Sequence, residues 1–258
     1  LNTERIRYNP PSVGLSTGGI VHLVLLKSFR FKSMLGVFFF AVGMALFSAL
    51  AIEDHGNQGF REYREFMYEL FLLNMLPFFV MVTAGGILRN EIKDGTLEYI
   101  WTRPISRLRV MGGFFAAAIA ATFIWVFFLS LGVQAGAMYH GIEGIWAEYD
   151  RLLLAVFAGC VAFSGLAMLV AAFSGKFVGF GLLYIGLVEI GIGKIPTNIN
   201  NIAIRHHMET IVGSAFGEGG GSIASGLWGS FLIAAIFVFL AGFLFRNKNY
   251  SLGSEKED

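Results

Sequence analysis

Apolar residues in this chain come in long unbroken blocks separated by short charged islands. Met34–Ile52, Leu70–Leu88, Val110–Val133 and Leu152–Gly175 contain no Asp, Glu, Lys or Arg. A fifth block, Phe177–Gly193, is interrupted only by Glu189, and a sixth runs from Gly226 to Phe245. At about 1.5 Å per residue, ~20 apolar residues in a helix match a hydrocarbon core of about 30 Å. Lipid offers backbone N–H and C=O groups no partner, whereas a helix satisfies its own. The blocks therefore predict six transmembrane helices and one all-α polytopic membrane domain over residues 1–258.

Composition agrees. The 258 residues are 55% hydrophobic and 14% charged, against about 25% charged in soluble proteins. Mean hydropathy is +0.66. The net charge of +1 says little about partners, but the placement of the charges says more. Six spans put both termini on one side. The segments on that side, 1–33, 89–109, 174–176 and 246–258, hold fourteen of the nineteen Lys and Arg residues. Arg61, Arg64, Arg151, Lys194 and Arg205 fall in the opposite links. Basic residues stay on the cytoplasmic side, so both termini and the 89–109 link are expected there, in a multi-pass protein of the plasma (inner) membrane. The first 30 residues carry Arg5, Arg7, Lys27 and Arg30 with no cleavable apolar core, so no signal peptide is expected. Cys160, the single cysteine, excludes an internal disulfide and is read as a small core residue.

The links carry further expectations. Val21–Phe31 combines Val21, Leu25 and Phe29 with Lys27 and Arg30, which suits a helix in the headgroup layer or an extension of the first span. Asp54–Glu69 reads as an external amphipathic turn or as the top of the second span. Phe173–Lys176 is short enough only for a tight turn. The long link 194–225 suits short helices dipping into the outer leaflet, or a surface loop, with Gly217–Gly221 breaking the chain. Within the second span, Pro77 predicts a kink and Gly85-Gly86 a bend. No internal repeat of the kind that builds many secondary transporters is evident.

The 89–109 link is the most distinctive part of the chain. Asp94 or Thr96 can cap a helix start, Glu98 then lies in its first turn, and Arg103-Pro104 ends it. Leu97, Ile100 and Trp101 stand at i, i+3 and i+4 and give the helix one apolar face. So short a helix is marginal in water and needs a surface to pack on, either the bilayer interface or a groove of a soluble partner.

The run Glu91-x-x-x-Gly95-Thr96-Leu97-Glu98, followed by Arg103-Pro104-Ile105-Ser106-Arg107, resembles the type-2 (exporter) permeases of ATP-binding-cassette transporters. The resemblance extends to the six spans, the basic entry helix and the long link between spans five and six. It implies a coupling helix between spans two and three, seated in a cleft of a separate ATPase subunit that binds ATP and Mg. It also implies a second permease chain, identical or related. By the same resemblance, Glu91, Gly95, Thr96, Leu97, Glu98, Ile100, Trp101, Arg103 and Pro104 are the expected coupling residues.

The chain itself carries no G-x-x-x-x-G-K-[ST] phosphate loop; Ser174-Gly175-Lys176 lacks the upstream glycine. His206-His207 lacks zincin spacing, so neither a metal nor an organic cofactor is expected in this chain. No nucleic-acid partner is expected, and the remaining partner is the lipid bilayer. Three polar residues in or beside the spans are candidates for a substrate path or dimer interface: Asn74, Gln134 and Glu189. Asn74 and Gln134 also suit hydrogen bonds between helices. Glu189 suits either a place at the outer interface near Lys194 or a buried functional role. The rival readings are an anchor that recruits a cytoplasmic partner without transport, and an ion-coupled transporter, which calls for more buried carboxylates than Glu189.

Overall fold

The computed structural model describes residues 13–29, 31–52, 57–95, 106–142, 144–147, 149–192, 198–216 and 222–247. Its helices are α1 (Val13–Ser28), α2 (Phe31–Ala51), α3 (Asn57–Glu65), α4 (Leu76–Lys93), α5 (Arg107–Tyr139), α6 (Tyr149–Phe173), α7 (Phe177–Tyr184), α8 (Ile204–Phe216) and α9 (Ile223–Asn247). No strand occurs among the described residues. The protein is an all-α polytopic membrane protein.

Among the described residues, five helical stretches are long and apolar enough to cross a membrane: Ser33–Ala51, Gly59–Lys93, Arg107–Tyr139, Tyr149–Phe173 and Ile223–Asn247. The block expected as span five is a shorter apolar helix, Phe177–Gly191. The second span exceeds its apolar block because α3 runs into it through Phe66–Met75, so Asp54–Glu69 contributes the top of that span from Asn57 onward. Phe66–Met75 is π-helical and ends immediately before Leu76-Pro77. Pro77 gives no N–H to the carbonyl one turn back, which lies within these widened turns. α1 and α2 are separate helices that both pack on α5. The entry helix is therefore an element of its own.

α6 is the centre of the bundle. Its most apolar stretch is 72% buried, against 11% for α2 and 22% for α9. It packs on α4, α5, α7, α8 and α9. Its small residues Ala155, Ala158, Gly159, Ala162, Gly165, Ala167, Ala171 and Ala172 let these neighbours approach, which is how membrane helices associate without a hydrophobic driving force. α2 reaches α5 in the same way. A Cβ on Gly132 would meet the Ala41 backbone, and one on Gly136 would meet Ser48 and the Ala45 carbonyl. At the outer end of this crossing, His140 Nε2 lies 2.6 Å from the Ala49 carbonyl and joins α5 to the last turn of α2. α6 and α7 are joined by the tight turn Ser174–Lys176, which makes them a hairpin.

Candidate functional site

The expected coupling link enters and leaves the bundle at one end, called the inner end below, and both of its flanks are built into that end. α4 stops at Asp94-Gly95. The Asp94 N–H donates to the Asn90 carbonyl at 2.8 Å, the Gly95 N–H points to the Ile92 carbonyl at 3.3 Å, and Gly95 has φ +69°. This is a left-handed C-terminal stop of the kind glycine adopts at no steric cost. Asp94 thus closes α4 and does not open a new helix, contrary to one of the two capping expectations. Thr96, Leu97, Glu98, Ile100, Trp101, Arg103 and Pro104 lie outside the described residues.

Glu91 is buried, and the half-exposed Lys27 of α1 donates to its Oε1 at 2.6 Å. The Lys27 ammonium also lies 3.8 Å from an Asp94 carboxylate oxygen. A buried carboxylate is costly unless paired and hydrogen-bonded, so the pair fixes α1 against the last turn of α4. Two residues earlier, Arg89 is buried with its guanidinium over Gly175; a Cβ there would stand 2.7 Å from Nη2. The entry flank is thereby held against both α1 and the α6–α7 turn.

The exit flank is fixed to a third place. Arg107 Nη1 donates to the Arg246 carbonyl at 2.7 Å, which satisfies an acceptor in the last turn of α9. Next to it, Leu108 packs on Gly242 of α9. Glu91 and Gly95 are the two expected coupling residues that the structure describes, and they lie together at the entry flank. Arg107 ends the run that carries the resemblance, but neither it nor Lys27 or Arg89 was expected to tie the link to other helices. Beyond that run the available signal was only position: basic residues near the ends of apolar blocks, on the side where basic residues collect.

The three polar residues of the spans do not converge. Asn74 is exposed, and its amide donates to the Glu69 carbonyl of its own helix. Among the described residues it makes no bond to another helix, since the widened turns of Phe66–Met75 offer a carbonyl on the same helix. Gln134 is buried, and neither of its amide atoms has a hydrogen-bond partner among the described residues. Glu189 is buried within the protein, and its two oxygens accept the Ile204 N–H at 3.1 Å and the Arg205 N–H at 2.7 Å. It caps α8 from 15 residues upstream, and a carboxylate at a helix N-terminus is favoured by both the free N–H groups and the helix dipole.

α8 is also held against α9: the His207 ring seats over Gly229 of α9, with Nε2 2.9 Å from the Asn201 carbonyl, while Arg205 and Glu209 pair at 2.7 Å one turn apart within α8. Burial holds the His207 imidazole below its ordinary pKa, although the Asn201 hydrogen bond opposes this. The 194–225 link thus contains a helix docked on the bundle at the end opposite Gly95, with α8 packed on α6 and α9. The reading of this link as a plain surface loop is set aside by that packing.

A search of curated proteins gives no match. A family model described as "ABC-2 family transporter protein" matches residues 25–191, from within α1, through both flanks of the 96–105 link, to just past Glu189. α8 and α9 lie beyond the matched region. The match covers well over half of the chain, and with the helical bundle it places this protein in the ABC-2 family of transporter proteins, as a multi-pass membrane component of a transporter.

Proposed function

We propose that the chain is the permease of an ATP-driven exporter. A separate ATPase subunit binds ATP and Mg and seats on the 96–105 link, and two permease chains, identical or related, form the path between them. The orientation is the one drawn from the basic residues: inner end and both termini in the cytoplasm of the plasma (inner) membrane. The observation that supports coupling is the anchoring of the link. Its entry flank is tied through Glu91 to α1 and through Arg89 to the α6–α7 turn, and its exit flank through Arg107 to α9. A displacement of the link therefore reaches three separate parts of the bundle. An ion-coupled mechanism is less well supported, because Glu189, the acidic group within the apolar blocks, is engaged with two backbone N–H groups.

The test is co-expression with a P-loop ATPase from the same cell, followed by ATPase and transport assays in vesicles. The expected result is a stable complex whose ATPase activity rises with permease present. Glu98→Arg, or Leu97→Ala with Trp101→Ala, should abolish that stimulation while leaving the amount of folded permease unchanged. A chain that never associates with an ATPase, in vesicles whose transport ignores ATP, would overturn the proposal.

A further inference from the structure

α2 packs mainly on α5, and a cleft separates it from α4. The cleft begins at the inner end as a cavity of about 630 Å³ bounded by α1, α2, α4 and Trp125 of α5. An apolar cavity of about 270 Å³, walled by Phe40, Met75, Phe78, Val126 and Leu129, continues it, and Phe79 lines both. On α4 the lining residues fall every three or four positions: Phe79, Val82/Thr83, Gly86/Ile87, Asn90/Glu91 and Asp94. They form a single stripe about 22 Å long from Phe79 to Asp94. Towards the opposite end of the bundle the two helices meet again, with the Phe47 and Phe66 rings 5.6 Å apart.

The chemistry changes along the stripe. The inner mouth presents Lys27, Ser28, Ser33, Asn90, Glu91 and Asp94, and the deeper walls are aromatic and aliphatic. The mouth therefore offers one ammonium flanked by two carboxylates, with hydroxyl and amide groups beside them. Two glycines keep the cleft open. Gly36 of α2 and Gly86 of α4 both line it, and a Cβ on either would meet nothing within 4 Å. Membrane helices with small residues usually use them to close on a neighbour; these two face empty space.

We infer that this cleft is a binding site for one zwitterionic phospholipid, taken laterally from the leaflet at the inner end. Its phosphate lies near Lys27 and the two serines, its amine near Asp94 and Asn90, and an acyl chain enters the apolar slot past Phe79. The charge pattern of the mouth matches a headgroup carrying both signs. A singly anionic headgroup would meet two carboxylates with no positive group of its own to offer them. The site lies within one chain, between its own α2 and α4, and does not require a second copy. The leaflet assigned to it rests on the orientation proposed above, but the binding itself does not.

The experiment uses the full chain, without any ATPase, in vesicles containing a photoactivatable phosphatidylethanolamine or, separately, a photoactivatable phosphatidylglycerol. Peptide mapping of the labelled protein should place the phosphatidylethanolamine adduct on 33–40 or 75–94. Gly36→Leu and Gly86→Leu fill open space, so they should keep the thermal midpoint while labelling falls at least roughly tenfold. Asp94→Asn should narrow the preference for phosphatidylethanolamine over phosphatidylglycerol. Equal labelling in the filled variants, adducts mapping elsewhere, or equal use of both lipids would overturn the site. So would a cleft closed by a second copy, seen as crosslinks between chains at Gly36→Cys in place of lipid adducts. Because no ATP or transport is read, failure here leaves the permease proposal standing, and failure of ATPase coupling leaves this one standing.

Discussion

Glu91 shows how far a single residue can be read before its neighbours are known. In the sequence it is an acidic residue just past an apolar block, singled out only through the resemblance of 91–107 to a permease motif. In the fold it is buried and takes the Lys27 ammonium from 64 residues away. No spacing rule links those two positions. Gly95 was more legible, since a glycine past the last apolar turn is a common helix stop, and its φ of +69° gives that stop a physical reason. The pair makes a sharp prediction. Lys27→Met takes the ammonium away from a buried carboxylate, and should cost about 1–3 kcal/mol, towards the lower end because Lys27 is half-exposed. Glu91→Gln should cost less, and the double variant should recover part of the loss, with a coupling energy of at least about 0.5 kcal/mol. Thermal midpoints of the four proteins in one detergent measure this. Strictly additive losses would mean that the ion pair does not hold α1 to α4.

At the scale of elements, five of the six apolar blocks set out long spans, and the shortness of Phe173–Lys176 set out the α6–α7 hairpin. What they left open was how each span meets its neighbours. Gly132 and Gly136 stand four apart in α5 and read as a small-residue stripe, but the stripe does not name its partner. The structure supplies Ala41, Ala45 and Ser48 of α2. The widened turns of Phe66–Met75 were not legible: Pro77 predicts a kink, and one proline does not say which turns will adjust. α2 is the least buried span, so its crossing with α5 carries much of its attachment. Gly136→Leu would drive a side chain into the Ser48 hydroxyl and the Ala45 carbonyl, an overpacking that should cost about 1–3 kcal/mol. The thermal midpoint of the Gly136→Leu chain in detergent should therefore fall below that of the parent chain. Gly43→Leu, where a Cβ meets nothing within 4 Å, is the matched control and should leave the midpoint unchanged.

For the whole molecule, the division of charge between the two ends carries the orientation. It joins the other readings into one arrangement. The 89–109 flanks, Lys27, the α6–α7 turn and the last turn of α9 share one end, while Glu189, α8 and the α3 top of the second span lie at the other. Basic residues cluster at the first end by fourteen to five, which calls for that end to face the cytoplasm. Cys160 makes the orientation simple to measure. It is fully buried and stands among small residues of α6, and burial is the common state of a cysteine that serves only packing. In a Cys160→Ala background, single cysteines at the exposed positions Lys93 and Asn201 should answer oppositely to a membrane-impermeant thiol reagent. Lys93→Cys should react only in inverted vesicles or after permeabilisation, and Asn201→Cys only in intact cells. The reverse pattern would put the coupling link outside the cell, where no ATP-fed subunit can reach it. Labelling of both from one side would mean that Phe177–Gly191 and its neighbours do not complete the crossing, and that the count of membrane passes is odd where six were expected.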